Sequence, residues 1–297
     1  MSDNLGLNVS EQIPYGFRYP YLPDGTLVPT HKLDLDSEVF YNENYDNHGL
    51  LKLLRCAYAD IDDNAQFLSE IFEINSLGKF EGSTKEKAHG EHSMLRWCYE
   101  LVQNEIQGLV PGEVFEFGCF TGISTAKISI ASSFAGKKLY VFDSFEGLPN
   151  PEDYGAGDQK SHYAAGEYSS PMDVVSFNVT THGLARDTTF IKGFFENSIP
   201  GFKNDFPGMK VSYAFVDVDL AKSVEECLDY VVPRLSVGGM IFMDEFADKD
   251  NFEIFKKFGL YDQEKFETRS VSNRSGSIVK NVSPDKHYNC GIIKKIS

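Results

Sequence analysis

The chain has no apolar run near the ~20 residues that span a bilayer, no C-x-x-C pair, and no basic start or apolar stretch in MSDNLGLNVS. The first absence argues against a membrane helix and the last against a secretory signal. Five cysteines (Cys56, Cys98, Cys119, Cys227 and Cys290) are odd in number and scattered. That spacing fits neither a disulfide frame nor a zinc site, so reduced thiols in a cytoplasmic protein are expected. Positive charge is scarce as well: 28 basic residues face 44 acidic ones, a formal charge of −16. Such a chain repels nucleic acid and anionic membrane unless it carries a local basic patch, and none is visible. The acidic surplus serves solubility first, with some acids left to surround a cation. No internal repeat or low-complexity segment is present.

What is present divides unevenly. The 297 residues suffice for one large domain, or a domain with an extension. Residues 1–50 hold eight acids, two basic residues, four prolines and seven aromatics. The run Pro14–Pro23 has turn residues and large rings but neither a helical nor a strand period. It is too aromatic for a disordered linker. An irregular arm is expected, packed on the main domain or on a second subunit, which favours a homo-oligomer, a dimer or larger. The spacing over residues 50–77 suits one or two short helices, and Gly78 to Gly90 reads as a polar connection. Residues 1–80 thus form one part and residues 90–297 the main domain.

From His92 an amphipathic helix begins, with Met94, Trp97, Cys98, Leu101, Val102 and Ile106 on one stripe. It ends near Gly108. The rhythm then becomes strand, helix, strand: strands at Val114–Phe117, Leu139–Phe142, Thr188–Ile191, Val211–Val216 and Met240–Met243, with helices at Ile123–Phe134 and Val224–Leu235. Continuous apolar strands separated by helices predict an α/β domain with a buried, mostly parallel sheet and helices on both faces. The tail differs. Segments 267–272, 277–282 and 288–296 look β-like and predict an antiparallel C-terminal edge.

Ligands in such sheets bind at the carboxyl ends of the strands, and here those ends are rich in acids. Val114–Ser124 turns a strand into a helix over Gly118 and Gly122, with Glu116 inside the strand. Such a turn brings backbone N–H groups to a ligand, and the carboxylate suits one with hydroxyls and an amino group. Strand two ends at Asp143, placed to accept hydrogen bonds from a ribose. Gly193, after strand three, lets a flat ring approach the backbone. Strand four ends in Val216-Asp-Val-Asp-Leu220 and strand five in Met243-Asp-Glu-Phe246. Four acids at neighbouring strand ends raise each other's pKa or require a cation. Mg²⁺ or a similar divalent ion held among Asp217, Asp219, Asp244 and Glu245 is expected. Period-2 alternation would place Asp217 and Asp219 on the same side.

In this order the motifs resemble the macrocin O-methyltransferase family of class I S-adenosylmethionine (SAM)-dependent methyltransferases. The matching pieces are Glu116-Phe-Gly118 with Gly122, Asp143-Ser-Phe-Glu-Gly-Leu-Pro149, Gly193-Phe-Phe195, Asp217-Val-Asp219 and Leu235–Gly239 leading to Asp244-Glu245. The resemblance covers roughly residues 90–250. It implies a Rossmann-like sheet and SAM-dependent, Mg²⁺-assisted methylation of a hydroxyl on a small molecule, a sugar or natural-product intermediate. It also implies cofactor contacts from Ser93, Met94, Glu116, Gly118, Gly122, Asp143, Ser144, Gly193 and Asp217. The family's metal and catalytic carboxylates fall at Asp217, Asp219, Asp244 and Glu245. Three positions depart from the pattern: Phe120-Thr-Gly122 replaces a basic residue and paired glycines, Leu220-Ala-Lys222 replaces a polar segment, and Glu245 stands where aspartate is usual.

An alcohol acceptor must lose its proton near the moment of attack. Asp219, expected deepest in the acidic cluster, is the first choice of base, and His162, in the glycine-rich loop 155–166, the second. Two other readings remain open from sequence alone. A nicotinamide-dependent oxidoreductase shares the glycine turn and ribose acid, but it lacks the third glycine and leaves the acids of strands four and five unexplained. A catalytically silent SAM-binding module is the other.

Overall fold

The computed structural model describes residues 91–150, 163–246, 250–272, 278–279 and 289–297. Expectations for the N-terminal arm, the short helices and His162 fall outside these. The described chain runs α1 (Glu91–Gln107), β1 (Glu113–Phe117), α2 (Ile123–Phe134), β2 (Leu139–Asp143), α3 (Met172–His182), β3 (Thr188–Lys192), α4 (Phe195–Asp205), β4 (Val211–Val216), α5 (Ala221–Arg234), β5 (Leu235–Met243), α6 (Asn251–Lys257), β6 (Phe266–Ser272), β7 (Ile278–Val279) and β8 (Asn289–Lys295).

The strands form one sheet in the order β3-β2-β1-β4-β5-β8-β6-β7. The first five are parallel, and β8, β6 and β7 add an antiparallel edge. Alternation along the strands splits the core between two faces. Val114, Val141, Phe215 and Phe242 meet Trp97 and Leu101 of α1, Ala126 and Ile130 of α2, and Val175 of α3. Phe115, Phe117, Phe142 and Ile241 meet Phe202 of α4, Val224 and Tyr230 of α5, and Phe255 of α6. Both faces are covered, which is why the strands read as unbroken apolar runs.

Several boundaries differ from the sequence expectation. Ile106 does not join the buried stripe of α1 but is 69% exposed, because Asn104 and Glu105 take the sheet-facing side of the last turn through hydrogen bonds with the Tyr213 hydroxyl. Strand β5 begins at Leu235 and continues through Gly238-Gly239, where its register against β4 shifts between Val211 and Tyr213. Periodicity does not mark helices α3 and α6 in the sequence. In α3 the buried stripe is Val175, Asn178 and Val179, and a polar residue in that stripe hides the helical period.

The carboxyl ends of the parallel strands are joined by a row of backbone bonds. Gly193 N–H donates to Asp143 O (2.9 Å), Gly118 N–H to Phe142 O (3.0 Å), Asp217 N–H to Phe117 O (3.1 Å) and Asp244 N–H to Val216 O (3.0 Å). Gly118 occupies this row at φ +80°, and a Cβ there would lie 1.9 Å from the carbonyl oxygen of Asp217. Gly118→Ala should therefore cost about 3 kcal/mol or more, since backbone rather than a flexible side chain must move. Urea denaturation read by circular dichroism would show it as a lowered midpoint. An unchanged midpoint would mean the rim relaxes freely.

Candidate active site at the carboxyl rim of the sheet

Glu116 lies on the α1–α3 face of β1 and is 2% exposed. Ser124 Oγ, in the first turn of α2, donates to its Oε1 at 2.6 Å, while Oε2 is buried with no partner. Burial pushes its carboxyl up to about 8, against the lesser opposing effects of the nearby Ser124 and Thr125 hydroxyls. Asp143, at the end of β2, accepts the Cys119 N–H on Oδ2 (2.8 Å) and the Phe145 N–H on Oδ1 (2.7 Å). Each oxygen retains acceptor capacity for a further donor.

The remaining residues expected around the cofactor are placed as follows. Gly122 begins α2 with φ +83°, and a Cβ there would meet Val175 of α3 at 2.9 Å. Asn178 of the same helix donates to Thr121 O at 2.7 Å, so α3 braces the whole first turn. Gly193 adopts φ +135° and a Cβ would approach only Ser198, at 3.5 Å, leaving open space. Ser144 Oγ closes its own loop by donating to Gly147 O (2.7 Å) and accepting from Glu146 N (3.0 Å). Met94 packs against the core, and its sulfur lies 3.9 Å from Cys98 Sγ. Ser93 sits in the first turn of α1.

Asp217, Asp244 and Glu245 each direct one carboxylate oxygen into a common space, with these atoms all within 4.8 Å of one another. Burial, then the Asp244 and Glu245 carboxylates, hold Asp217 well above the ordinary aspartate range. Burial, then Asp244, does the same to Glu245. Glu245 Oε1 accepts both the Val218 N–H (3.0 Å) and the Asp219 N–H (2.7 Å), and its Oε2 is buried without a partner. Such a group is short of positive charge and matches the oxygen-only donor set of a hard divalent cation.

Asp219 is not one of the three. The alternation expected to align it with Asp217 stops where β4 ends, at Val216, and Asp219 adopts φ +58°. It sits on a left-handed turn where the Tyr163 hydroxyl bonds its side chain, and its carboxylate still contributes to raising Asp217 and Glu245. Tyr163 packs edge-to-face on Tyr168 (6.1 Å) and Tyr168 on Phe120 (5.5 Å). The segment carrying these tyrosines is tied down by Leu148 N–H to Glu167 O (2.8 Å) and Gly166 N–H to Leu148 O (2.9 Å). Sequence reasoning missed Tyr163, Tyr168 and Cys290, whose Sγ is 2.9 Å from Asp244 Oδ1. The tyrosines sit in a stretch without periodicity, and their only local signal is the glycine-rich setting of a covering loop.

Five parallel strands in the order β3-β2-β1-β4-β5, an antiparallel strand beside β5 and an acid closing β2 define a Rossmann-like class I methyltransferase fold. The chain belongs to the macrocin O-methyltransferase (TylF) family, whose model matches residues 89–265. It is 31% identical over 160 residues to 8-demethyl-8-(2,3-dimethoxy-alpha-L-rhamnosyl)-tetracenomycin-C 4'-O-methyltransferase of Streptomyces olivaceus, covering 52% of this chain and 59% of the relative. It is 26% identical over 158 residues to mycinamicin III 3''-O-methyltransferase of Micromonospora griseorubida, covering 49% and 59%. The chain therefore spans under two thirds of the length of these relatives. The solved O-methyltransferase NovP superposes with a TM-score of 0.52 at 18% identity, over 68% of this chain and 80% of that one, a likeness of fold. Among the described residues no helix is long and apolar enough to cross a membrane.

The Glu116 environment has a measurable consequence. Its carboxyl ionises near 4.5 in the unfolded chain and at about 8 in the folded one. Between those values the folded state holds the extra proton, so stability falls as pH rises, on the order of 1.4 kcal/mol per pH unit from this group. Glu116→Gln should remove that part of the fall, leaving the variant most favoured over the parent at pH 8 and least near pH 4.5. Urea titrations between pH 5 and 8 test this, and parallel profiles would reject it.

Proposed function

We propose that the protein transfers a methyl group from SAM to a hydroxyl of a small, ring-bearing molecule, a sugar or natural-product intermediate, with a divalent cation such as Mg²⁺ at the rim. The observation that carries the reading is a shared location. The buried, half-satisfied Glu116 and the Asp217–Asp244–Glu245 group stand at neighbouring ends of β1, β4 and β5. Family membership supports methyl transfer over the nicotinamide reading, which gives those acids no task.

The residues fit both groups. Glu116 offers an unpartnered oxygen to an ammonium, and Asp143, its oxygens fixed by two backbone N–H groups, offers its remaining acceptor capacity to ribose hydroxyls. Gly193 leaves room for a flat base, while Gly118 and Gly122 keep the first turn close. Asp217, Asp244 and Glu245 would hold the cation. When bound, SAM would supply an electrophilic methyl group and the cation would lower the pKa of the acceptor hydroxyl. Asp219 takes the hydroxyl proton on its carboxylate, held in place by the Tyr163 hydroxyl and by its own N–H on Glu245. Phe120, Tyr168 and Tyr163 supply an aromatic wall for the acceptor ring. Positioning accounts for much of the rate of such an in-line displacement.

Asp219→Asn should lower turnover by about a hundredfold or more while SAM affinity, measured by calorimetry, stays within about twofold. The assay would follow label from methyl-labelled SAM into a panel of neutral glycosides and catechols. Retained turnover would remove Asp219 from the proton transfer. Binding of NAD but not SAM to the parent protein would overturn the function itself.

A further inference from the structure

Asp244 is approached from the side away from β4 as well. Strand β8 runs antiparallel to β5 with Gly291 opposite Met243, which brings Cys290 alongside the residue that follows β5. Cys290 is fully buried, and its Sγ lies 2.9 Å from Asp244 Oδ1. The contact is built into the strand. A Cβ on Gly291 would fall 2.1 Å from the Phe246 ring, so this glycine lets β8 close on the Asp244-Glu245-Phe246 turn. Asn251, 1% exposed at the start of α6, steadies the same turn by donating to Glu245 O at 3.1 Å. β8 lies beyond residues 89–265, the span matched by the family model.

A carboxylate that ligates a cation through one oxygen keeps its orientation only if something holds the rest of it. Donors outside the ligand shell do this, and their loss typically weakens metal affinity 10–100-fold. A thiol is a weak donor, strengthened when its acceptor is ionised. The three-carboxylate group forms without the sulfur.

We infer that Cys290 is the positioning residue of the cation site: its S–H donates to Asp244 Oδ1 and fixes the rotamer from which Asp244 reaches Asp217 and Glu245. This rests on the divalent-cation part of the function proposed above, and its consequence is that the C-terminal antiparallel edge, not only the methyltransferase core, sets metal affinity.

The experiment titrates Mn²⁺ alone into the intact protein and follows free Mn²⁺ by electron paramagnetic resonance. Cys290→Ser, which keeps a donor, should bind within about threefold of the parent. Cys290→Ala and the better-filling Cys290→Val, which lack a donor, should bind about tenfold more weakly, with melting temperature and SAM affinity used to select folded variants. Co²⁺ bound to the parent should show no thiolate-to-cobalt charge-transfer band. Parent-like Mn²⁺ affinity in either donor-less variant, or a thiolate band, would overturn the positioning role and leave the cation site standing. A folded parent that binds no Mn²⁺ would sink the cation reading, and this inference with it.

Discussion

The site depends on the alignment of five strand ends. The row of N–H donations from Gly193, Gly118, Asp217 and Asp244 continues the sheet one residue past β3, β1, β4 and β5. Each donor is itself a candidate site position or stands directly beside one. A slip of one residue in β1, β2, β4 or β5 would turn its acid to the opposite face, so core packing on both faces and carboxylate placement at the rim are fixed by the same register. Glycine at position 118 follows from this, because only hydrogen leaves room for the Asp217 carbonyl.

The rim is also where the fold stores unfavourable terms. Burial raises Glu116, Asp217 and Glu245, and buried carboxyl oxygens of Glu116 and Glu245 lack partners. The four non-glycine residues with positive φ among the described residues are Phe120, Phe145, Tyr168 and Asp219. Three stand in the turns after β1, β2 and β4, and the fourth in the segment tied across them. Left-handed backbone at such residues costs on the order of 1–3 kcal/mol each. Left-handed backbone at non-glycine residues and three raised carboxyls gathered at one end of the sheet form the pattern of a surface organised for a ligand.

The sheet was legible because both its faces are buried, which writes parallel strands as unbroken apolar runs with acids at their ends. Asp143, Asp217, Asp244 and Glu245 were singled out by that punctuation, and they stand at the strand ends where it placed them. What escaped was whatever depends on tertiary contact instead of period. Asn178 interrupts the apolar stripe of α3 yet is buried there, because it braces Thr121. Asp219 left the alternation at a turn that no local residue signals. Cys290 reaches Asp244 across 46 positions of sequence, and a scattered cysteine count points away from such a role.

The first turn shows how one motif can carry two meanings. Its glycines are each required by packing, Gly118 against Asp217 and Gly122 against α3, so glycine alone does not identify a phosphate cradle. Electrostatics distinguishes the readings. A pyrophosphate at this turn would meet Glu116, Asp143 and Asp217, acids that offer it no positive charge and that, once ionised, repel it in a desolvated pocket. A ligand that presents an ammonium and a sulfonium there is favoured by the same acids, and ionising Glu116 to meet it recovers part of what burial costs. Phe120, in place of a basic residue, adds no positive charge to reverse that preference, and its ring joins Tyr168 and Tyr163 instead. The sequence position that departs from the family pattern thus starts a row of rings that ends at Tyr163, whose hydroxyl bonds Asp219, and so links the first turn to the turn after β4.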